Sequence, residues 1–207
     1  MIFTFCIDVF KKNRTFVEPY FKFRSNAMFE NIRLKIACFL LNRRCARVKR
    51  QKMLFDFSSA RYVGVLCSSL DEPSTVHLKN FLHHLSQRGI RYSVVGYFDG
   101  KTIPENFLYW KEMDFFTRKD LNLFFIPDTP MVSKFVHEPF DMLINCNIAG
   151  YFPVEYISQL SVARCKVGIR RDDDLCCDLM IDIRKNQTIE FFLKNLEIYL
   201  TNLKNPQ

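Results

Sequence analysis

Apolar residues recur along this chain with two periods, and the change from one to the other marks its elements. The clearest stretch runs from Arg61 to Phe98. Tyr62-Val63-Gly64-Val65-Leu66-Cys67 is a continuous apolar run of strand length. Pro73 to Arg88 then shows helical spacing, with Val76, Phe81, Leu82 and Leu85 as the expected apolar stripe. Gly89 stops that helix, and Arg91 to Tyr97 is a second strand. Between the first strand and the helix, Ser68-Ser69-Leu70-Asp71-Glu72-Pro73 supplies capping residues and an early proline. The unit is strand, crossover helix, strand.

The same alternation continues. Asp99-Gly100 and Pro104 predict turns, and Met113–Phe116 a short strand. Pro127 and Pro130 break the chain before a short helix at Met131–Val136. Phe140–Asn145 reads as a buried strand, and Pro153–Ala163 as a helix with Tyr156, Ile157 and Leu160 apolar. Strands follow at Cys165–Ile169 and Leu179–Ile183, separated by the acidic loop Arg171–Asp174. A closing helix spans Ile189–Leu203. Alternating strands and helices predict an α/β fold, a mostly parallel doubly wound sheet of five or six strands in a Rossmann-like order.

The N-terminal part follows other rules. Phe29 to about Lys52 reads as one long helix, with Phe29, Ile32, Ile36, Phe39 and Leu40 on one face. Arg43, Arg47 and Arg50 continue that face, so the stripe turns from apolar to cationic. The expected arrangement docks the first half and presents the guanidinium groups of the second; the alternative is a solvated helix end favoured by the dipole. Asp56–Ala60 is a short linker. Residues 1–27 show little periodicity, and the cleaner pattern from Met28 gives the expectation that Met28 is the true start. Three parts result: a loose extension over 1–27, a basic amphipathic helix with linker over 28–56, and a Rossmann-like domain over 57–207.

Charge sharpens this division. The formal net charge is +8, yet residues 1–52 hold 13 Lys/Arg against 3 Asp/Glu, and residues 53–207 hold 17 against 19. The basic character belongs to the N-terminal segment, which points to an acidic partner there, either nucleic acid or an anionic membrane surface. A hydrophobic content of 48% with 25% charged residues places the chain among globular proteins. No run approaches the roughly 18 apolar residues a membrane span needs. The eight cysteines include no CxxC pair, which suits a reducing cytoplasm.

Candidate chemistry is sparse. Ligands of doubly wound sheets sit at the carboxyl ends of the strands, here at Ser68, Ser69 and Asp71, Phe98 and Asp99, Asn145 and Asn147, Arg170, and Asp182. Of these, Ser68, Ser69, Asn145 and Asn147 are the candidate ligand-binding residues. The first loop lacks a Gly-rich fingerprint and places Asp71 and Glu72 where a phosphate needs positive potential. There is no GxxxxGK[ST] motif. His77 and His84, seven apart, invite a zinc or acid–base role but lack a partner motif, and surface histidines are commoner. Cys67 beside Ser68 is read as a structural thiol rather than a nucleophile, and Asp172-Asp173-Asp174 as a solvated loop rather than a cation site. Trp110, Phe107 and Tyr109 are read as core. No cofactor, metal site or catalytic residue is indicated.

Several of these segments together resemble an uncharacterised family of small bacterial proteins, found mainly in the Bacteroidetes. They are Tyr62-Val63-Gly64-Val65-Leu66, Val94-Val95-Gly96-Tyr97, the run Asp114 to Asn122, Phe140 to Asn145, Ala163 to Gly168, and Asp178 to Asp182. The resemblance covers Met28 to Leu203 and implies no catalytic residues. A fainter likeness joins the FDMLIN and ARCKVGI strands to the N-terminal half of heptosyltransferase-like glycosyltransferases. The chain is too short for the second domain that would bind the sugar nucleotide, so this likeness implies fold alone.

The resulting expectation is a non-enzymatic interaction protein whose Arg43, Arg44, Arg47 and Arg50 contact RNA or a ribonucleoprotein. The alternatives are a small-molecule or nucleotide-sugar-binding, transferase-like domain and peripheral membrane association of the same helix.

Overall fold

Strand β1, Tyr62–Ser68, runs through the middle of the molecule and is buried at every position after Tyr62. The structure, a computed structural model, describes residues 28–107, 109–110, 112–171 and 177–202. Val63, Val65 and Cys67 of β1 join one core and Leu66 the other. A strand covered on both faces has no polar side to show, hence the unbroken apolar run.

Five further strands complete the sheet: β2 Arg91–Phe98, β3 Met113–Thr117, β4 Met142–Cys146, β5 Cys165–Ile169 and β6 Leu179–Ile181. Their order is β3-β2-β1-β4-β5-β6, and every neighbouring pair is parallel. This is the Rossmann order, which winds outward from β1 in one direction and from β4 in the other. Leu66 sits between Val95 and Asn145 in register, and Cys67 between Gly96 and Cys146. The order therefore reverses between β1 and β4.

Helices α2, Glu72–Gln87, and α5, Ile189–Asn202, cover one face of the sheet. Helices α1, Met28–Cys45, α3, Pro130–His137, and α4, Phe152–Leu160, cover the other. The Asp71 carboxylate caps α2 by accepting from the Ser74 N–H at 2.9 Å, and Pro73 occupies its first turn. The buried stripe of α2 is Leu78, Phe81, Leu82 and Leu85. Val76, expected in that stripe, lies on the opposite side and is exposed, because the i, i+3, i+4, i+7 spacing starts at Leu78. Gly64 gives the Phe140 ring its seat over β1: a Cβ there would stand 2.8 Å from Phe140 Cε2. Phe98, Phe107, Trp110 and Phe115 form an aromatic group at the end of the core, with Phe107 and Trp110 stacked at 6.1 Å.

Helix α1 departs from expectation in two ways. Its docked face is Leu34, Ala37, Cys38 and Leu41, packed with α4. Phe29, Ile32, Ile36 and Phe39 face outward. The small residues Ala37 and Cys38 permit the close approach to the body, while the bulkier outward residues dominate the sequence periodicity. The helix also ends at Cys45 rather than near Lys52. Its last turn tightens as Arg47 N–H and Val48 N–H reach Arg44 O and Cys45 O. The chain then leaves the axis toward the sheet, where the Arg50 guanidinium meets the Asp178 carboxylate at 2.5 and 2.8 Å. Met53 N–H follows onto Arg164 O, and Phe55, Phe57 and Ala60 enter the core.

The expected extension over 1–27, the acidic run Asp172–Asp174 and Leu203 lie outside the described residues. Among the described residues no helix is long and apolar enough to cross a membrane.

Candidate functional site

A crevice of about 540 Å³ opens where the strand order reverses. Its walls come from the β1–α2 loop, the β4–α4 loop, Arg171 beyond β5, and the start of α5. Crevices at the carboxyl ends of strands beside such a reversal are where open α/β sheets bind ligands. The volume falls in the range of small-molecule sites.

The side chains behind the crevice form one polar network. Asn145, on the α4 face of β4, donates Nδ2–H to Glu155 Oε2 at 3.0 Å. Asn147, fully buried, donates Nδ2–H to Glu155 Oε1 at 2.8 Å and to Tyr151 O at 2.9 Å. Its Oδ1 accepts from Ser68 Oγ at 2.8 Å and from Tyr151 N–H at 3.1 Å. The Arg171 guanidinium donates Nη1–H to Glu155 Oε1 at 2.9 Å and Nη2–H to Asn147 O. Glu155 is thus a buried carboxylate held by two amides and a guanidinium, which is how a buried charge is tolerated. Gly150 adopts φ +73°, and a Cβ there would stand 3.4 Å from Arg171 Nη1. Its bare backbone leaves room for the arginine to cross.

The rim adds further groups. Ser69 holds φ 43°, a left-handed conformation rare for serine, with its N–H on Tyr97 O at 2.8 Å. The Asp71 carboxyl lies below the usual carboxylate range because the Ser74 side chain and backbone hydrogen-bond its charged form. Thr188 starts α5 with its Oγ1 accepting from Phe191 N–H at 3.2 Å. Among the described residues the crevice thus offers hydroxyls, the Asp71 anion at the foot of α2 and the Arg171 guanidinium at the opposite strand end.

Cys146, the thiol among the described lining residues, is buried. Burial pushes the Cys67 thiol well up, with a smaller contribution from Cys146, and burial pushes up Cys146 as well. Ser68 Oγ–H is given to an amide oxygen, which accepts a hydrogen bond but does not take the proton at ordinary pH. Among the described residues Ser68 Oγ has no general base as its hydrogen-bond acceptor.

Of the sequence candidates, Ser68 and Ser69 line the crevice and Asn145 and Asn147 stand directly behind it. The cationic candidates do not form one open face. Arg43 and Arg47 are exposed. Arg44 donates to the Tyr156 hydroxyl and lies over its ring, and Arg50, with 11% of its side chain exposed, is paired with Asp178. His77 and His84 face Glu190 and Glu197 across the α2–α5 groove at 3.4 and 3.1 Å. Among the described residues no cluster of three or more His, Cys, Asp or Glu is placed to hold a metal ion.

Glu155, Arg171 and Tyr151 are the network members that sequence reading missed. Glu155 had a visible signal: it is the one carboxylate within Phe152–Leu160, a segment apolar on nearly every side. Arg171 looked only like the edge of an acidic loop.

A comparison with curated proteins gives no match. A family profile described as a family of unknown function, DUF6913, matches residues 33–203, from within α1 to beyond α5. That span takes in all six strands and the whole crevice, and on this match the chain belongs to the family of unknown function DUF6913.

Proposed function

We propose that this domain binds a small polar molecule in the crevice between the ends of β1 and β4. The observation that carries the reading is the network of buried Asn145, Asn147 and Glu155 with half-buried Arg171, placed at the strand-order reversal. Four apolar side chains would fill that space with less desolvation cost, so the fold alone does not call for it. The ligand class is bounded by the first helix. Asp71 and Glu72 stand where a dinucleotide would put its pyrophosphate, so a phosphate at α2 is disfavoured. A hydroxyl- or amine-bearing ligand suits Asp71, Ser68 and Ser69. The likeness to the N-terminal half of heptosyltransferase-like enzymes keeps sugar derivatives in the set to test.

The experiment is a thermal-shift screen with nucleosides, nucleotides, sugars, sugar nucleotides and amino acids. A ligand at about a hundred times its Kd stabilises by about 2.7 kcal/mol. The Ala149→Trp variant, which fills the crevice from its exposed loop, should lose the shift while melting as the parent does. A shift that persists in that variant, or a screen without any shift, contradicts the reading.

A second reading, contact with RNA through the cationic segment, is supported by the exposed Arg43 and Arg47 beside Lys49. Arg44 takes part with its outer edge, and Arg50 is engaged by Asp178. Replacing Arg43, Arg44 and Arg47 by Glu should abolish RNA binding that falls steeply with salt. Unchanged binding contradicts it.

A further inference from the structure

Helix α1 is apolar on two opposite sides, and among the described residues only one of them is packed. Leu34, Ala37, Cys38 and Leu41 pack on the body. Diametrically opposite, Phe29, Ile32, Ile36 and Phe39 are 74, 48, 39 and 57% exposed. Their 3-4-3 spacing makes a straight seam along the helix, about 15 Å long at 1.5 Å per residue. Isolated exposed apolar residues are ordinary, but an aligned set of this kind marks a contact surface. Leu123, 65% exposed, lies on the neighbouring loop, whose carbonyl at that residue accepts from the Arg33 guanidinium of α1.

The charges around the seam select its occupant. Residues 28–52 carry eight Lys/Arg and one acid, Glu30. Lys35 flanks the seam, Arg43 lies in line with its end, and Arg47 and Lys49 are exposed just beyond. A second copy of this chain would bring another eight Lys/Arg and one acid over residues 28–52, so its α1 segment offers almost no anions to match these cations. Its seam of four side chains is also short of the roughly 1,200 Å² that stable interfaces bury. RNA would satisfy the cations but leave two phenylalanines and two isoleucines in contact with phosphates. An anionic bilayer satisfies both: the apolar seam enters the acyl boundary while Lys and Arg meet the headgroups.

We propose that α1 is an interfacial helix that seats the domain on an anionic membrane surface through Phe29, Ile32, Ile36 and Phe39. Because α1 is fixed to α4 by its other face, docking holds the whole sheet at the surface. The proposal stands apart from the crevice reading and uses none of its residues.

The test is flotation of the full chain with vesicles of equimolar phosphatidylglycerol and phosphatidylcholine, against phosphatidylcholine alone. The expected result is flotation with the anionic vesicles only, weakened by salt. The double variant Ile32→Gln, Ile36→Gln should lose about tenfold or more in vesicle affinity, because neither part-exposed side chain can then enter the acyl boundary without desolvating an amide. Its melting curve should match the parent, since both positions are exposed; Phe39→Ser serves as the second variant if it does not. Four results overturn the proposal: no flotation; flotation that survives both seam variants; a dimer in sedimentation that the seam variants dissolve; or RNA binding lost in the seam variants without any flotation. Ala149→Trp should float normally, which separates this proposal from the crevice reading.

Discussion

The Ser68 hydroxyl donates a hydrogen bond to Asn147 Oδ1 at 2.8 Å, across the place where the strand order turns. The bond joins the end of β1 to the residue just past β4. It also fixes the Asn147 amide, because Nδ2 is committed to Glu155 and Tyr151 O. A strand-order reversal leaves a gap between two loops that diverge to opposite faces. Here the gap is floored by side-chain hydrogen bonds rather than by apolar packing.

Asn147→Ala should therefore destabilise the protein by about 1–3 kcal/mol for each buried partner left unsatisfied, Ser68 Oγ–H and the Glu155 carboxylate among them. Urea denaturation measures this directly. Asn147→Leu should be no better, since shape alone does not restore the lost partners.

Arg171→Met removes a guanidinium from a carboxylate whose side chain is 6% exposed. Breaking such a pair costs about 3–5 kcal/mol. Adding Glu155→Gln to the same chain should recover part of that loss, because the uncompensated charge goes with it. A double-mutant cycle by chemical denaturation gives the coupling; simple additivity contradicts the described network.

Arg50 and Asp178 make a pH-dependent contribution. Burial alone would raise the Asp178 pKa, but the Arg50 hydrogen bonds, the Lys166 N–H and the charges of Arg50 and Lys52 outweigh it and hold the pKa below its ordinary 3.8. A depressed folded pKa gives stability that is fully present above pH 3.8 and lost as pH falls through the depressed value. Asp178→Asn should cost about 1.5–3 kcal/mol near neutral pH, the worth of hydrogen bonds to a charged group. The gap from the parent should shrink below pH 3.8, as read by denaturation over a pH series.

Thiol labelling reports on burial. Burial pushes the Cys38 thiol to about 11 and Cys165 to about 11, and pushes Cys67 and Cys146 up further in direction. Iodoacetamide at neutral pH should leave Cys67 and Cys146 unmodified in the native chain and label them once urea unfolds it. Mass mapping after quenching checks this; rapid native labelling of Cys67 contradicts the described core.

Much of the fold was legible from period and punctuation. Gly89 ends α2 within a residue of its expected place, and Cys165–Ile169 is the strand the sequence marked. Such elements are set by local rules: turn residues, early prolines, and apolar runs covered on both faces. The orientation of α1 was not legible, because its two apolar faces carry similar periodicity. Only the small residues Ala37 and Cys38 distinguish the docked one, and their fit depends on α4, distant in sequence. The crevice was half legible. Strand ends named Ser68, Ser69, Asn145 and Asn147, but Glu155 and Arg171 join them through tertiary contacts that no spacing rule contains. The early end of α1 was hidden for the same reason, since Arg50 is drawn off the helix by Asp178, 128 residues away.

The most direct test of the central claim is amide chemical-shift mapping of the labelled full chain, titrated with the compound that gives the largest thermal shift. The account predicts that perturbations gather at Ser68, Ser69, Gly150, Arg171 and Thr188, and vanish in Ala149→Trp. Perturbations gathered instead along α1 or in the α2–α5 groove, with those five amides unmoved, would contradict it.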